Sequence, residues 1–162
     1  MFDSSGLEIL EREECLALLK TQPVGRIVFT DRALPAVQPV NFVLDGEAII
    51  IRTTPGSKLS GATHDAVVAF EVDEIDAEEH SGWSVTAVGH ASVVRDEEER
   101  RRLDALPLRP WALGQRDHFL RIPVDMVTGR RLLAGGVRPR PDGQRMDSAL
   151  RGNPVLHRAT GG

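Results

Sequence analysis

Short apolar runs broken by turn residues fill residues 24–124, and this pattern constrains the fold more than any other feature of the chain. Val24–Thr30 is followed by Ala36–Leu44, in which Val40, Phe42 and Leu44 share one face and Val37, Asn41 and Val43 the other. Asp45-Gly46 comes next, a strong hairpin signal, because both central residues of such a turn need positive φ. Glu47–Thr53 then returns around Ile49-Ile50-Ile51. Ala66–Val72, Ser84–Val94 and His118–Val124 are the remaining strand patterns, and Gly89 inside the longest predicts a bend or bulge where a barrel wall turns. Helical patterns are short: residues 11–21, stopped at Gln22-Pro23; residues 57–63; and a stretch from Asp96 to about Leu106. The last is opened by the capping box Asp96-Glu97-Glu98-Glu99 and closed by Pro107 and Pro110. Six short strands with turn signals about every 8–12 residues predict a mainly β chain, a small antiparallel barrel.

Composition excludes several classes. The 162 residues suit one domain, and the lone Cys15 forms no internal disulfide. Its leucine-rich surroundings make it a small buried side chain rather than a nucleophile. No apolar run approaches a membrane span and the N-terminus has no leader pattern, so the expected location is the cytoplasm. Residues 129–162 hold seven Arg and two Asp, a net +5, which leaves −9 for residues 1–128 of the total of −4. An acidic body argues against a nucleic-acid surface. From 134 onward the chain is rich in Arg, Gly and Pro and is read as an extended or partly disordered tail, following a domain over 1–133.

Familiar catalytic patterns are absent: there is no G-x-S-x-G, no G-x-G-x-x-G and no Walker loop. The histidines (64, 80, 90, 118 and 157) lack metal-ligand spacing; His90 and His118 are read as wall residues, and Asp73–Glu79 as a solvated loop. One segment stands apart. Arg52-Thr53-Thr54-Pro55-Gly56-Ser57-Lys58-Leu59 packs a guanidinium, an ammonium and hydroxyls between a strand end and a helix start. Lys58 is one of only two lysines, the other being Lys20. Arginine chelates phosphate in bidentate fashion, lysine adds a point charge, and the first N–H groups of a helix favour anions. A capped turn with two solvated bases is the competing reading, and composition leaves both open.

GRIVFTD, AVQPVNFVLDGEAIIIRTTPGSKL, DAVVAFEVDEID and GWSVTAVGHASVV, with PWALGQRDHFLRIPVDMVTGRR after them, resemble the pyridoxamine 5′-phosphate oxidase-like proteins, over roughly residues 7–133. The resemblance implies a six-stranded antiparallel split barrel of Greek-key type. It also implies a homodimer with flavin mononucleotide (FMN) between the subunits. Carried over, the phosphate falls to Arg52, Thr53, Thr54, Ser57 and Lys58, with Leu59 beside them. Pro39, Val40, Asn41 and Phe42 line the ring, largely through their backbone. Trp83 and Trp111 are candidates for ring or interface packing, and no metal is implied. The expected activity is an oxidoreductase moving hydride to or from flavin N5 with a small-molecule substrate, and no side chain is singled out as catalytic. The tail does not match the substrate-binding ending of true pyridoxamine phosphate oxidases. Two alternatives follow from the same resemblance: a reductase using the deazaflavin F420, and a non-catalytic flavin- or haem-binding protein.

Overall fold

The computed structural model describes residues 1–108 and 118–134. Within them run β1 (Glu8–Leu10), α1 (Arg12–Leu19), β2 (Val24–Asp31), β3 (Leu34–Asp45), β4 (Ala48–Thr53) and α2 (Lys58–Ala62). β5 (Ala66–Asp76), β6 (Ser81–Val93), α3 (Glu97–Asp104), β7 (His118–Pro123) and β8 (Met126–Leu132) follow. Trp111 and the tail beyond Ala134 lie outside the described residues. Among those described, no helix is long and apolar enough to cross a membrane.

Six strands close a ring by antiparallel pairing: β2 with β3, β3 with β4, β4 with β7, β7 with β6, β6 with β5, and β5 with β2. This is the expected split barrel, and its six wall strands are the six read from the sequence. β1 and β8 are additional and lie outside the ring. β8 pairs with β6 from Gly82 to Val88, and β1 pairs with β8.

The barrel is split because β6 changes partner along one edge. Its first part carries β8, and Ser92 and Val93 carry β7. Gly89 sits at the changeover, where the chain turns from β7 into β8. A Cβ there would lie 1.8 Å from the carbonyl oxygen of Pro123. Only glycine fits, so the bend expected at this residue is a close backbone crossing. β3 shows the second opening. Residues Leu34–Asn41 pair with β2, but only Phe42–Asp45 pair with β4. Among the described residues the other edge of 34–41 carries no strand, so Pro35 and Pro39 sit in the strand without breaking a ladder.

The hairpin between β3 and β4 differs from expectation by one residue. Asp45 pairs with Ala48, so the central residues are Gly46 and Glu47. Only Gly46 has positive φ, 62°, and Asp45 ends the strand. A left-handed residue is needed at the first central position alone, and glycine fills it. The β2–β3 turn has both central residues left-handed: Arg32 at φ 50° and Ala33 at 65°. Neither is glycine, which is why the sequence hid this turn.

The isoleucine run of β4 serves two cores. Ile49 and Ile51 point into the barrel with Ile27, Phe29, Phe42, Phe70 and Leu120. Ile50 points outward, under α3, with Val94, Leu103, Leu108 and Phe119. All three isoleucines are fully buried, each stabilising the fold by roughly 1.5–3 kcal/mol. Asp96 caps α3 by accepting from the Glu99 N–H at 2.8 Å, as the capping-box pattern predicts. Cys15 is fully buried in the barrel core, and burial pushes its thiol pKa up, away from the nucleophilic thiolate.

One outer face of the barrel is apolar. Cross-strand register aligns Val37, Val28, Ala69, Val88 and Met126 over five neighbouring strands. Val37 is 62% exposed and Met126 64%. The next row along is polar and charged, with Arg26 bridging Glu71 and Asp73.

Candidate functional site

The segment singled out for its chemistry sits where β4 leaves the barrel. Strand alternation sends Arg52 and Thr53 to opposite faces. Thr53 is buried at the mouth of the barrel, and its hydroxyl lies 2.9 Å from that of Ser57. Ser57 caps α2, accepting from the Ser60 N–H at 3.1 Å, while its own N–H donates to the Thr54 carbonyl at 3.2 Å. Gly56, at φ 71°, lets the chain fold back between them. Lys58 is the first residue of α2, and Leu59 is buried beneath it in the core.

Arg52 faces α3. Its guanidinium lies over the Phe119 ring, 4.9 Å from the centroid, and one terminal nitrogen pairs with the Asp104 carboxylate. Its Nε is buried and, among the described residues, has no hydrogen-bond partner. A buried N–H without a partner is costly, and an acceptor arriving there would relieve that cost.

A cavity of about 110 Å³ joins the two groups of residues read from the sequence. Val40 and Gln38 of β3 form one side, and Arg52, Thr53, Thr54, Ser57 and Leu59 the other. Gln38 was not among the predicted residues. The signal for it was period-two spacing from Val40, which puts both on one face of β3. The Pro39–Phe42 stretch divides between two environments. Pro39 is exposed on the open edge of β3, and Asn41 is half-buried with its amide donating to the Pro23 carbonyl at 3.4 Å. Val40 and Phe42 point inward, where Phe42 meets Phe70 edge-on at 4.8 Å. Trp83 packs against the barrel core, distant in register from this segment.

These residues fit a phosphate ester at this position. Among the described residues the cavity lining holds the hydroxyl-bearing Thr53, Thr54 and Ser57 and the guanidinium of Arg52, whose Nε is orphaned, and no carboxylate.

The opposite end of the β3–β4 hairpin has different electrostatics. Asp45 takes a bidentate pair from Arg102, 2.8 Å on each oxygen, and a further bond from Arg121 at 2.6 Å. Arg121 also holds Glu99 at 2.7 Å. The two guanidiniums hold the Asp45 carboxyl well below the usual carboxylate range, mainly through the Arg102 hydrogen bonds.

Comparison with known proteins places this architecture. The family model for pyridoxamine 5′-phosphate oxidase matches residues 11–131. An uncharacterised Mycobacterium tuberculosis protein is 38% identical over 135 residues, 80% of this chain and 88% of that one. The solved FAD binding protein of Mycobacterium smegmatis is 37% identical, with a TM-score of 0.65 over 76% of this chain and 95% of its own. A Corynebacterium diphtheriae protein of unknown function is likewise 37% identical, with a TM-score of 0.66 over 79% of this chain and 99% of that one. The closed six-strand ring, its split at Gly89 and the family match over residues 11–131 agree: the chain belongs to the pyridoxamine 5′-phosphate oxidase family.

Proposed function

We propose that this protein binds a flavin, FMN in the first instance, and uses it as a small oxidoreductase. The observation that carries the proposal is the single cavity lined both by Val40 of β3 and by the Arg52–Leu59 segment. The M. smegmatis relative named as a FAD binding protein supports a flavin in this family branch. In this reading Thr53, Thr54, Ser57 and Lys58 hold the phosphate and the Nε of Arg52 adds one donor. The open edge of β3 at Pro39 lies against the ring. A bound flavin supplies hydride transfer at its N5 position. The chain's own contribution is to position the group, offer backbone dipoles to its charge and exclude water.

A second copy of the chain completes the site. The exposed apolar row from Val37 to Met126 supports this, because such a row on the outside of a barrel is costly unless covered. Size-exclusion chromatography with light scattering is expected to show a dimer, and Val37→Asp with Met126→Asp to yield monomer.

The decisive measurement is the absorption spectrum of the purified protein, followed by fluorescence titration with FMN, FAD and F420. A flavin spectrum and saturable quenching of FMN fluorescence are the expected results. Colourless protein with no saturable flavin binding overturns the proposal, and much tighter binding of F420 redirects it. Reoxidation of the reduced cofactor by an added acceptor, compared with free flavin, separates an enzyme from a carrier.

A further inference from the structure

A second cavity, of about 350 Å³, is lined in part by Ser60 of α2. Its polar lining is Ser60, His64, Arg95, Arg100 and His118, with the remainder from two valines. Among the described residues no lining residue is a carboxylate. Arg100 meets Glu97 along α3 at 3.3 Å, so its charge is partly neutralised on the far side. Among the described residues Arg95 has no carboxylate partner. Its Nη2 lies 2.8 Å from His64 Nε2, and because a guanidinium only donates, His64 accepts there and carries its proton on Nδ1. Both groups thus keep donors beyond their mutual contact. Cations and neutral donors gathered around a cavity without a carboxylate form a positive local field.

The cavity's position relative to the first one is set by two elements. His118 pairs in register with Thr53 on the adjacent strand. Ser57 and Ser60 lie one turn apart on α2, Ser57 lining the smaller cavity and Ser60 the larger. The two cavities thus border one short helix, and both are lined by donors.

We propose that this second cavity is a phosphate-binding subsite, distinct from the Thr53–Leu59 segment. One source of that phosphate is the adenylate half of FAD, an arm that rests on the flavin reading above. The other is a separate phosphorylated ligand, an arm that does not rest on it. The cavity would then discriminate the dinucleotide from the mononucleotide, or seat a nucleotide beside the flavin.

The test is isothermal titration of wild type and of the His64→Gln/Arg95→Gln double variant, with FMN, FAD and ADP. Both substituted residues are exposed, and a thermal melt verifies folding. If the double variant fails that check, Arg95→Gln alone serves. Loss of one to two charge-assisted hydrogen bonds weakens binding by about tenfold or more. If FAD weakens by that factor while FMN is unchanged, the phosphate is that of the dinucleotide. If ADP binds the FMN-loaded wild type and weakens in the variant, the ligand is separate. Equal FAD-to-FMN ratios and equal ADP binding in both proteins overturn the proposal. Absence of flavin binding with ADP binding that follows the substitutions overturns the flavin reading and leaves the subsite standing.

Discussion

The two ends of strand β4 carry charge in opposite ways. At the β3–β4 hairpin, Asp45, Glu99, Arg102 and Arg121 neutralise one another through hydrogen bonds of 2.6–2.8 Å. At the far end, Arg52, Thr53 and Ser57 line one cavity and Arg95 and His64 another, and among the described residues neither lining holds a carboxylate. A closed network of this kind holds α3 against the barrel and offers nothing to a ligand. Donors left facing a cavity cost stability unless a ligand answers them. The same residue types close a network at one end and line cavities at the other, where Arg52 gives one terminal nitrogen to Asp104 and its buried Nε has no partner among the described residues.

The largest expected effect lies at the binding end. Arg52→Ala with Lys58→Ala removes two charged donors, and charge-assisted hydrogen bonds contribute roughly 1.5–3 kcal/mol each. FMN affinity should fall by about 100-fold or more in a fluorescence titration. Riboflavin, which lacks the phosphate, should lose far less, and equal losses would erase the distinction between the ends. Next comes Asp45→Ala, which leaves Arg102 and Arg121 facing each other across the hairpin. Chemical denaturation should show a loss of about 2 kcal/mol, the scale of a lost hydrogen-bonded ion pair, with FMN affinity unchanged.

The pH dependence sharpens the same contrast. The Asp45 pKa is depressed in the folded chain, so its stabilisation is complete above the ordinary carboxylate value. It is lost as pH falls from that value toward the depressed one. Stability measured at about pH 6 and about pH 3 should drop more in wild type than in Asp45→Asn. Ser57→Ala is the smallest effect on stability: losing the cap of α2 costs about 1 kcal/mol in a thermal melt. It should also weaken FMN, joining the cap to the site.

Much of the barrel was legible in the sequence because its signals are local. Period-two alternation marked β3, short apolar runs between turn signals marked β2 and β5, the isoleucine run marked β4, and Gly89 marked the bend. β8 was not read as a strand, since Met126–Leu132 carries Gly129 and two arginines and shows little alternation. Its pairing with β6 and with β1 gives it the strand conformation. β1, at three residues, is too short for any period. The hairpin register slipped by one residue because Asp45 looked like a turn residue, whereas in the fold its carboxylate is the acceptor for two arginines from distant elements.

The candidate site shows the same division. Residue type alone picked out Arg52–Leu59, because hydroxyls and bases packed into eight residues are chemically conspicuous. It did not find Gln38, nor the second cavity, whose His64, Arg95 and His118 come from three separated stretches. The sequence by itself determined the six wall strands, where the wall bends and which short stretch packs hydroxyls and bases together. Each of these is written in neighbouring residues. Only the tertiary structure decided which charges are cancelled and which are left facing a cavity, because a carboxylate's partner is set by where the barrel closes, not by what stands beside it in the chain.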